Sequence, residues 1–352
     1  YDQRNHRYPR RRPLRFVQPL VSLQFIRHFY FLLIPVPGFF ASFSPLPLPA
    51  GRLTAGPLRY ASSYTCHTGG AETTVAVGVV RQGHSAGWIS SLGEDEFGML
   101  IRRTFMGEGV DLSRVAADPS RPTGIFFREA VGNGEYRNFY YRKNSAASAI
   151  SPEQLDEEYI ASAKWLHLTG ITMAISESAL ETVLRAAEIA RSHGVKVCFD
   201  PNLRLKMWTI EDARRAMERI WPLVDVALPG AEEGEQLFGT ADPDAIAEEL
   251  SSRGVGCSIV KIGADGAIGY ENGEKVVSPG FKVKHVVDAF GAGDSFAAGI
   301  ISARLKGWEL AEQLRYANAI GAMAVSAPGN IEAVPTHAQV MKYLAGKAAV
   351  TR

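Results

Sequence analysis

Residues 286–299, VVDAFGAGDSFAAG, restrict the fold of this chain more than any other stretch. The two valines at its start predict the end of a β-strand, and Gly291 and Gly293 predict a tight turn. Residues 295–305 are small or apolar except for Arg304 and contain no proline, so they predict a helix. A strand, a glycine turn and a helix together place backbone N–H groups at the positive end of the helix, where phosphate oxygens bind.

The acid that follows the turn, Asp294, does not suit a phosphate ligand, because like charges repel. A carboxylate in this place is better suited to take a proton from an attacking hydroxyl while the turn holds a phosphoryl group. The structural alternative is that the glycines only shape a loop and that Asp294 caps the helix.

The rest of the chain alternates between strand and helix patterns. Residues 165–170 predict a buried strand, an amphipathic helix follows, and residues 195–200 predict the next strand. This alternation favours a parallel sheet covered by helices, with ligands at the carboxyl ends of the strands. Residues 123–142 differ, because two aromatic-rich strand patterns flank Gly132-Asn133-Gly134 and predict a β-hairpin.

The composition bounds the size of the core and argues against a nucleic-acid-binding protein. At 352 residues and 46% hydrophobic content, the chain can bury the core of one large α/β domain or two smaller ones. The net charge of +1 hides an uneven distribution: residues 1–50 carry seven Arg and one acid, whereas the remainder has 31 basic and 36 acidic residues. An acidic body argues against nucleic acid as a partner.

Residues 1–50 read unlike the remainder of the chain, and three interpretations stay open. The Arg-rich, acid-poor start is typical of a transit peptide, and the apolar residues 29–43 are typical of a signal sequence. Pro35 and Pro37 interrupt that apolar run, which is also too short to span a bilayer, so we expect no membrane anchoring. The third interpretation is that this segment is not the native start of the domain, which we expect to comprise residues 51–345.

The three cysteines, Cys66, Cys198 and Cys257, are widely separated and lack metal-ligand spacing. Two of them lie in apolar runs that predict buried strands. We therefore expect reduced thiols in a cytoplasmic protein.

The motif Asp288-Ala289-Phe290-Gly291-Ala292-Gly293-Asp294 resembles the D-T-x-G-A-G-D signature of the ribokinase-like, or phosphofructokinase B, carbohydrate kinases, with Ala289 in place of Thr. The resemblance covers about residues 56–340. It implies a three-layer α/β/α sandwich with a mostly parallel central sheet and a small β-sheet lid. It also implies ATP-dependent phosphorylation of a sugar hydroxyl with Mg²⁺, and a homo-oligomer formed through the lid.

The resemblance assigns the chemistry to the glycine turn. Asp294 would be the catalytic base, and the amides of Gly291, Ala292 and Gly293 would stabilise the moving phosphoryl group. Glu233 would act on Mg²⁺ through water, and a monovalent cation, K⁺, would lie near Asp288.

A nucleotide site is also implied by the family pattern. Residues 261–266 resemble the family's x-x-G-x-x-G loop, which makes Lys261, Gly263 and Gly266 candidate ATP contacts. Asn318, on a helix of small residues, would flank the adenine.

The sugar site resembles that of the 2-keto-3-deoxygluconate kinase branch, on the strength of F-Y-Y-R-x-x-S-A at residues 139–146 and D-x-N-x-R at residues 200–204. A sugar that carries a carboxylate needs planar, two-pronged donors, which arginine supplies. The implied substrate contacts are Gly70, Tyr140, Arg142, Ile171, Asp200, Asn202 and Arg204.

Three departures from the family pattern keep alternatives open. Thr74 and Gly230 stand where the family has Asn, and no central first strand is evident in the sequence. Residues 29–43 are candidates for that strand, but prolines fit poorly in the interior of a sheet. The alternatives are therefore a kinase of a neutral sugar, such as fructose or ribose, and a sugar-binding homologue with impaired catalysis.

Overall fold

The computed structural model describes residues 31–33, 39–41, 57–61, 66–132 and 135–346. The strands are β1 (Phe31–Leu33), β2 (Phe39–Ala41), β3 (Ala86–Gly93), β4 (Asp111–Asp118), β5 (Ile125–Gly132), β6 (Glu135–Tyr141), β7 (Trp165–Thr169), β8 (Lys196–Asp200), β9 (Val226–Ala227), β10 (Cys257–Lys261), β11 (Gly266–Glu271) and β12 (Glu274–Pro279). The α-helices are α1 (Ala71–Arg81), α2 (Glu96–Gly107), α3 (Glu157–Ala161), α4 (Gly170–Met173), α5 (Glu177–Ser192), α6 (Ile210–Ile220), α7 (Ala231–Phe238), α8 (Pro243–Ser252), α9 (Ala292–Leu305), α10 (Leu310–Ala324) and α11 (His337–Leu344).

The main sheet has the strand order β12-β11-β10-β9-β8-β7-β1-β3-β4. All its pairs are parallel except β10–β11 and β11–β12, which are antiparallel. Helices cover both faces: Trp88 packs into a core cluster with residues of α1 and α9, while its neighbour Ile89 packs into a second cluster with residues of α5 and α6. Successive strand residues point to opposite faces. The predicted three-layer sandwich is thereby confirmed.

The central strand that was not evident in the sequence comes from within residues 29–43. β1 lies between β3 and β7 and pairs in parallel with both, with Leu32 opposite Gly87 on one side and Leu166 on the other. Residues 31–33 of the segment 29–43 form this strand, and none of the three is a proline, so each keeps the backbone N–H that an interior strand needs.

A second, three-stranded sheet has the order β2-β5-β6. β5 and β6 form the predicted antiparallel hairpin, with Phe126 opposite Tyr140 and Arg128 opposite Asn138. β2 extends it in parallel beside β5. We refer to these three strands as the lid sheet.

The strand predicted at Val286 and Val287 does not form. These side chains are 65% and 45% exposed, and the segment between β12 and α9 contains no strand. The backbone N–H of Val287 donates to the carbonyl of Val325 at the end of α10 instead of joining a sheet. The segment pairs with a helix end, so local β-branched residues did not decide its conformation.

Helix α9 lies in the centre of one helical layer. Its residues from Ser295 to Ala303 are all buried, and burying each of its isoleucines, Ile300 and Ile301, stabilises the fold by about 1.5–3 kcal/mol. Such burial fixes the start of the helix relative to the sheet. No helix within the described residues has the length and apolar character needed to cross a membrane.

Candidate active site

A cavity of about 670 Å³ opens at the carboxyl ends of β7, β8 and β10, below the lid sheet and beside the N-terminal ends of α1 and α9. Its position agrees with the rule that ligands of parallel α/β sheets bind at the carboxyl ends of strands. The predicted site residues that line it are Gly70, Tyr140, Arg142, Ile171, Asp200, Asn202, Arg204, Glu233, Lys261, Gly263, Gly291, Gly293 and Asp294.

Four predicted residues do not line the cavity: Gly266, Asp288, Ala292 and Asn318. A Cβ on Gly266 would meet the carbonyl oxygen of Ser278 at 2.2 Å, so this glycine allows two backbone segments to approach closely. The Nδ2 atom of Asn318 donates to the backbone oxygen of Ser278 at 2.9 Å. Both residues therefore support the fold around β12, and neither contributes to the cavity wall.

The glycine turn begins α9 in the way the motif predicts. Gly291 is the N-cap residue with φ of 78°, a left-handed conformation that favours glycine, and an added Cβ would lie 2.0 Å from Oδ1 of Asn330. The first N–H groups of a helix have no acceptor within it. Those of α9 lie beside the cavity, because Gly291 and Gly293 line its wall.

Asp294 lies in the first turn of α9 and lines the same cavity. Removal from water, and to a smaller extent the negative charge of Asp200, raise the pKa of its carboxyl to about 7, while Arg204 opposes the shift. The Nδ2 atom of Asn202 donates to Oδ1 of Asp294 at 3.2 Å and orients the carboxylate. A carboxylate with a pKa near 7 matches the requirement for a general base at neutral pH.

This pKa predicts a pH dependence of turnover. Because only the deprotonated carboxylate accepts a proton, kcat/KM should fall below pH 7, the pKa of Asp294, by about tenfold per pH unit. The raised pKa of an acid means that the active form is present above pH 7 and lost as the pH falls. Initial rates from pH 5 to pH 9 in buffers of constant ionic strength measure the midpoint. A flat profile between pH 5 and pH 7 would contradict the assignment.

Lys261, at the end of β10, brings a positive charge to the cavity. Its Nζ atom lies 2.7 Å from Oδ2 of Asp200, whose side chain is 2% exposed. Burial lowers the pKa of Lys261, but the carboxylates of Asp200 and Glu233 outweigh this effect, and the pKa is raised overall. The ammonium group is therefore held in its charged form.

Asp200 connects this lysine to the base. Its Oδ1 atom accepts from the backbone N–H of Asn202 at 3.1 Å, and Asn202 contacts Asp294. Asn202 has φ of 40°, a left-handed conformation that asparagine tolerates better than most residues. We call Lys261, Asp200, Asn202 and Asp294 the acid–amide chain.

Glu233 lies at the start of α7 with both carboxylate oxygens engaged by backbone N–H groups. Oε1 accepts from Leu203 and Oε2 accepts from Gly230, each at 2.7 Å. Burial raises the pKa of Glu233, and Lys261 opposes this shift. Gly230 stands where the family has Asn and has no side chain that could cap the start of α7. The Glu233 carboxylate takes this role by accepting from the Gly230 N–H.

Aromatic and guanidinium groups form the end of the cavity below the lid sheet. The Arg142 guanidinium packs 4.2 Å from the Tyr140 ring centroid, and Phe126 lies 5.5 Å from the same ring. Burial lowers the pKa of Arg142 from its ordinary value. Arg204 lies on the cavity wall after β8. Cationic donors and aromatic rings together suit a sugar that carries an anionic group.

Sequence reasoning did not single out Glu72, which is fully buried and lines the cavity. Its Oε1 atom accepts from the hydroxyls of Thr169 and Thr172, while Oε2 has no hydrogen-bond partner within the described structure. Burial raises the pKa of this carboxyl. An acid two residues after Gly70, in a helix of small apolar residues, was the available signal. Thr74, by contrast, donates its hydroxyl to the Gly70 carbonyl and does not line the cavity.

Comparison with known proteins defines the class to which this fold and site belong. Residues 47–337 match the model of the pfkB family of carbohydrate kinases. The chain belongs to this family, and its activity is phosphoryl transfer to a sugar hydroxyl.

Individual relatives show which sugar kinases this chain is similar to. The chain is 34% identical to a 2-dehydro-3-deoxygluconokinase of Bacillus subtilis, over 84% of this chain and 92% of that protein. It is 35% identical to the enzyme of the same name from Thermoproteus tenax, over 83% and 90%. A probable fructokinase of Arabidopsis thaliana is 34% identical over 78% of this chain and 83% of that protein.

Solved structures agree with the fold. A PfkB protein from Polaromonas sp. JS666 superposes with a TM-score of 0.80 at 34% identity, covering 90% of this chain and 99% of that one. A putative ribokinase II from E. coli, solved in complex with ATP and Mg²⁺, superposes with a TM-score of 0.78 at 27% identity, with the same coverage.

Proposed function

We propose that this protein transfers the γ-phosphoryl group of ATP to a hydroxyl of 2-keto-3-deoxygluconate. The observation that carries the proposal is one shared cavity, which is lined by Asp294 and the α9 turn and also by Arg142 and Arg204. The relatives named 2-dehydro-3-deoxygluconokinase support the choice of this sugar acid.

The residues of the cavity suit an in-line phosphoryl transfer. The sugar oxygen attacks the γ-phosphorus while its proton passes to Asp294, and the bond from phosphorus to the β,γ-bridging oxygen breaks to release ADP. The N–H groups at the start of α9 stabilise the charge on the phosphoryl oxygens, and the ammonium of Lys261 adds a positive charge nearby. Asp294, the glycine turn and Lys261 all line one cavity, which suits this reaction.

The cavity also suits the nucleotide and its metal. Gly263 and Lys261 line it, which gives backbone and charge close to the α9 turn. Mg²⁺, when bound with the nucleotide, neutralises phosphate charge and polarises the transferred group. Within the described residues no cluster of three or more His, Cys, Asp and Glu side chains is arranged to hold a metal ion. Both carboxylate oxygens of Glu233 already accept from backbone N–H groups, so Glu233 would act on the metal through a water molecule.

The choice of a sugar acid over a neutral sugar predicts a selective defect. Arg204→Gln should raise KM for 2-keto-3-deoxygluconate on the order of 10- to 100-fold, because a charge-assisted hydrogen bond is lost. Turnover of fructose, which lacks the carboxylate, should change little. Steady-state kinetics with both sugars measure the difference.

Lys206→Gln is the matched control, since Lys206 lies on the same loop but is exposed and does not line the cavity. Equal effects of Arg204→Gln on both sugars would overturn the carboxylate contact. Equal rates of the unmodified protein with both sugars would favour the neutral-sugar kinase instead.

The alternative of a sugar-binding homologue with impaired catalysis rested on three departures: the missing central strand, Thr74 and Gly230. β1 fills the place of that strand, which removes one of the three. Asp294 also faces the cavity together with the glycine turn.

The proposal also includes a cellular location, an oligomeric state and the bounds of the kinase domain. The free thiols of Cys66, Cys198 and Cys257 support a reducing, cytoplasmic location.

Exposed apolar side chains on the lid sheet, Val131 and Tyr141, support self-association through this sheet. We propose residues 51–345 as the kinase domain, with β1 and β2 added from the segment before it.

A further inference from the structure

Arg128 belongs to the lid sheet but directs its charge into the body of the protein. Its side chain is 4% exposed, and its guanidinium donates two hydrogen bonds to Asp288, from Nη1 to Oδ2 at 2.7 Å and from Nη2 to Oδ1 at 3.0 Å. This bidentate geometry is among the strongest that an arginine makes with a carboxylate.

Two aromatic rings hold the guanidinium in place. The Cζ atom of Arg128 lies 3.8 Å from the ring centroid of Tyr136 on β6 and 4.4 Å from that of Phe290. Both distances are within the range of cation–π attraction. The ion pair is therefore buried and packed.

Asp288 links Arg128 to the glycine turn at residues 291–293, which we call the anion-binding turn. Its Oδ1 atom also accepts from the backbone N–H of Phe290 at 3.0 Å, and its own N–H donates to the carbonyl of Val325 at 3.3 Å. Phe290 immediately precedes Gly291. The carboxylate of Asp288 thus fixes the backbone from which the turn and α9 start.

The family resemblance implies a monovalent cation at Asp288, but the residues here do not fit one. A buried carboxylate needs an opposite charge, and a guanidinium already contacts both of its oxygens. A second cation would have to share those oxygens and would be repelled at close range by Arg128.

We propose that Arg128 supplies the positive charge at Asp288 that a monovalent cation would otherwise provide, and that it is a positioning residue for the anion-binding turn. The inference rests on the proposed phosphoryl transfer. It follows that turnover does not require K⁺ or Na⁺. Because Arg128 comes from the lid sheet, the turn is held in its working position only while this part of the lid is seated.

The first test uses the unmodified protein. Initial rates are compared in KCl and in tetramethylammonium chloride at equal ionic strength, after the protein has been freed of monovalent metal ions. Equal rates are expected, and a several-fold stimulation by K⁺ would overturn the inference.

The second test removes the charge and restores it. Arg128→Ala should lower kcat on the order of 100-fold, since a small displacement of a catalytic turn is enough for such a loss. Low-millimolar guanidinium or K⁺ should restore part of the rate. Arg137→Ala is the matched control, because Arg137 lies on the lid sheet but is 61% exposed and 3.6 Å from its partner Glu129. Unchanged kcat in Arg128→Ala, or a loss that neither cation relieves, would contradict the proposal.

Thermal unfolding gives a readout that does not depend on turnover. KCl should raise the Tm of Arg128→Ala more than that of the unmodified protein or of Arg137→Ala. If Arg128→Ala does not fold, the double variant Arg128→Ala/Asp288→Ala removes both charges and should fold without a K⁺ response. A K⁺-dependent Tm in that double variant, or equal responses in all variants, would overturn the inference. Absence of turnover with every sugar would refute the proposed function alone.

Discussion

Asp294→Asn is expected to lower kcat by about 10²–10⁴-fold, the usual contribution of a general base. The amide keeps the shape of the side chain and still accepts the hydrogen bond from Asn202, but it cannot take the proton of the sugar hydroxyl. Binding of the sugar and of ATP should remain close to normal, because the α9 turn and the arginines are unchanged. Rapid-quench measurement of the chemical step separates these effects.

The thermal stability of Asp294→Asn, unlike its kcat, should not fall. The raised pKa of Asp294, about 7, means that its charged form is disfavoured in the folded protein. Above pH 7 the folded state therefore carries an unfavourable charge, which Asn removes, so the Tm of Asp294→Asn should equal or exceed that of the unmodified protein at pH 8. Undiminished kcat in this variant would exclude Asp294 as the base, and a large fall in Tm would mean that the loss reflects misfolding.

Lys261→Met should cause the second large effect, on stability and turnover together. Removing the ammonium leaves the buried carboxylate of Asp200 without its ion-pair partner, and breaking a buried pair in this way costs about 3–5 kcal/mol of the free energy of unfolding. The positive charge near the transferred phosphoryl group is lost as well, so kcat should also fall. Chemical denaturation at pH 8 and steady-state kinetics measure the two effects.

Lys275→Met is the matched control for stability. Lys275 pairs with Asp244 at 2.6 Å, but both side chains are about half exposed, at 45% and 52%, and exposed pairs contribute about 0–1 kcal/mol. The double variant Lys261→Met/Asp200→Asn should recover part of the stability, because no isolated charge remains. Equal losses in Lys261→Met and Lys275→Met would contradict the buried ion pair.

Features encoded by short, contiguous patterns were predictable from the sequence. Gly291 and Asp294 lie in one turn, whose conformation follows from the glycine spacing, and the structure places both on the cavity wall. The residues after β7 and β8 meet them because parallel strands end at the same edge of a sheet. The fold class and the gathering of the candidate site could therefore be inferred before any coordinates.

Features that depend on distant partners were not predictable in this way. The valines at 286 and 287 resemble a strand, but they pair with no strand among the described residues, and Val287 bonds to Val325 instead. Arg128 and Asp288 are 160 positions apart, so nothing local to either residue indicates their pairing. The three-residue strand β1 carries too short a pattern to be distinguished from its proline-rich surroundings.

The acid–amide chain has a consequence for how this enzyme can be adapted. It spans β10, β8 and the first turn of α9, so the proton affinity of the base is set partly by Asp200 and Lys261, which do not themselves take the proton. Asp200 raises the pKa of Asp294 through its charge, and Lys261 lowers it. Substitutions at the strand ends can consequently move the working pH range toward acid or alkaline conditions while the residue that performs the chemistry stays the same.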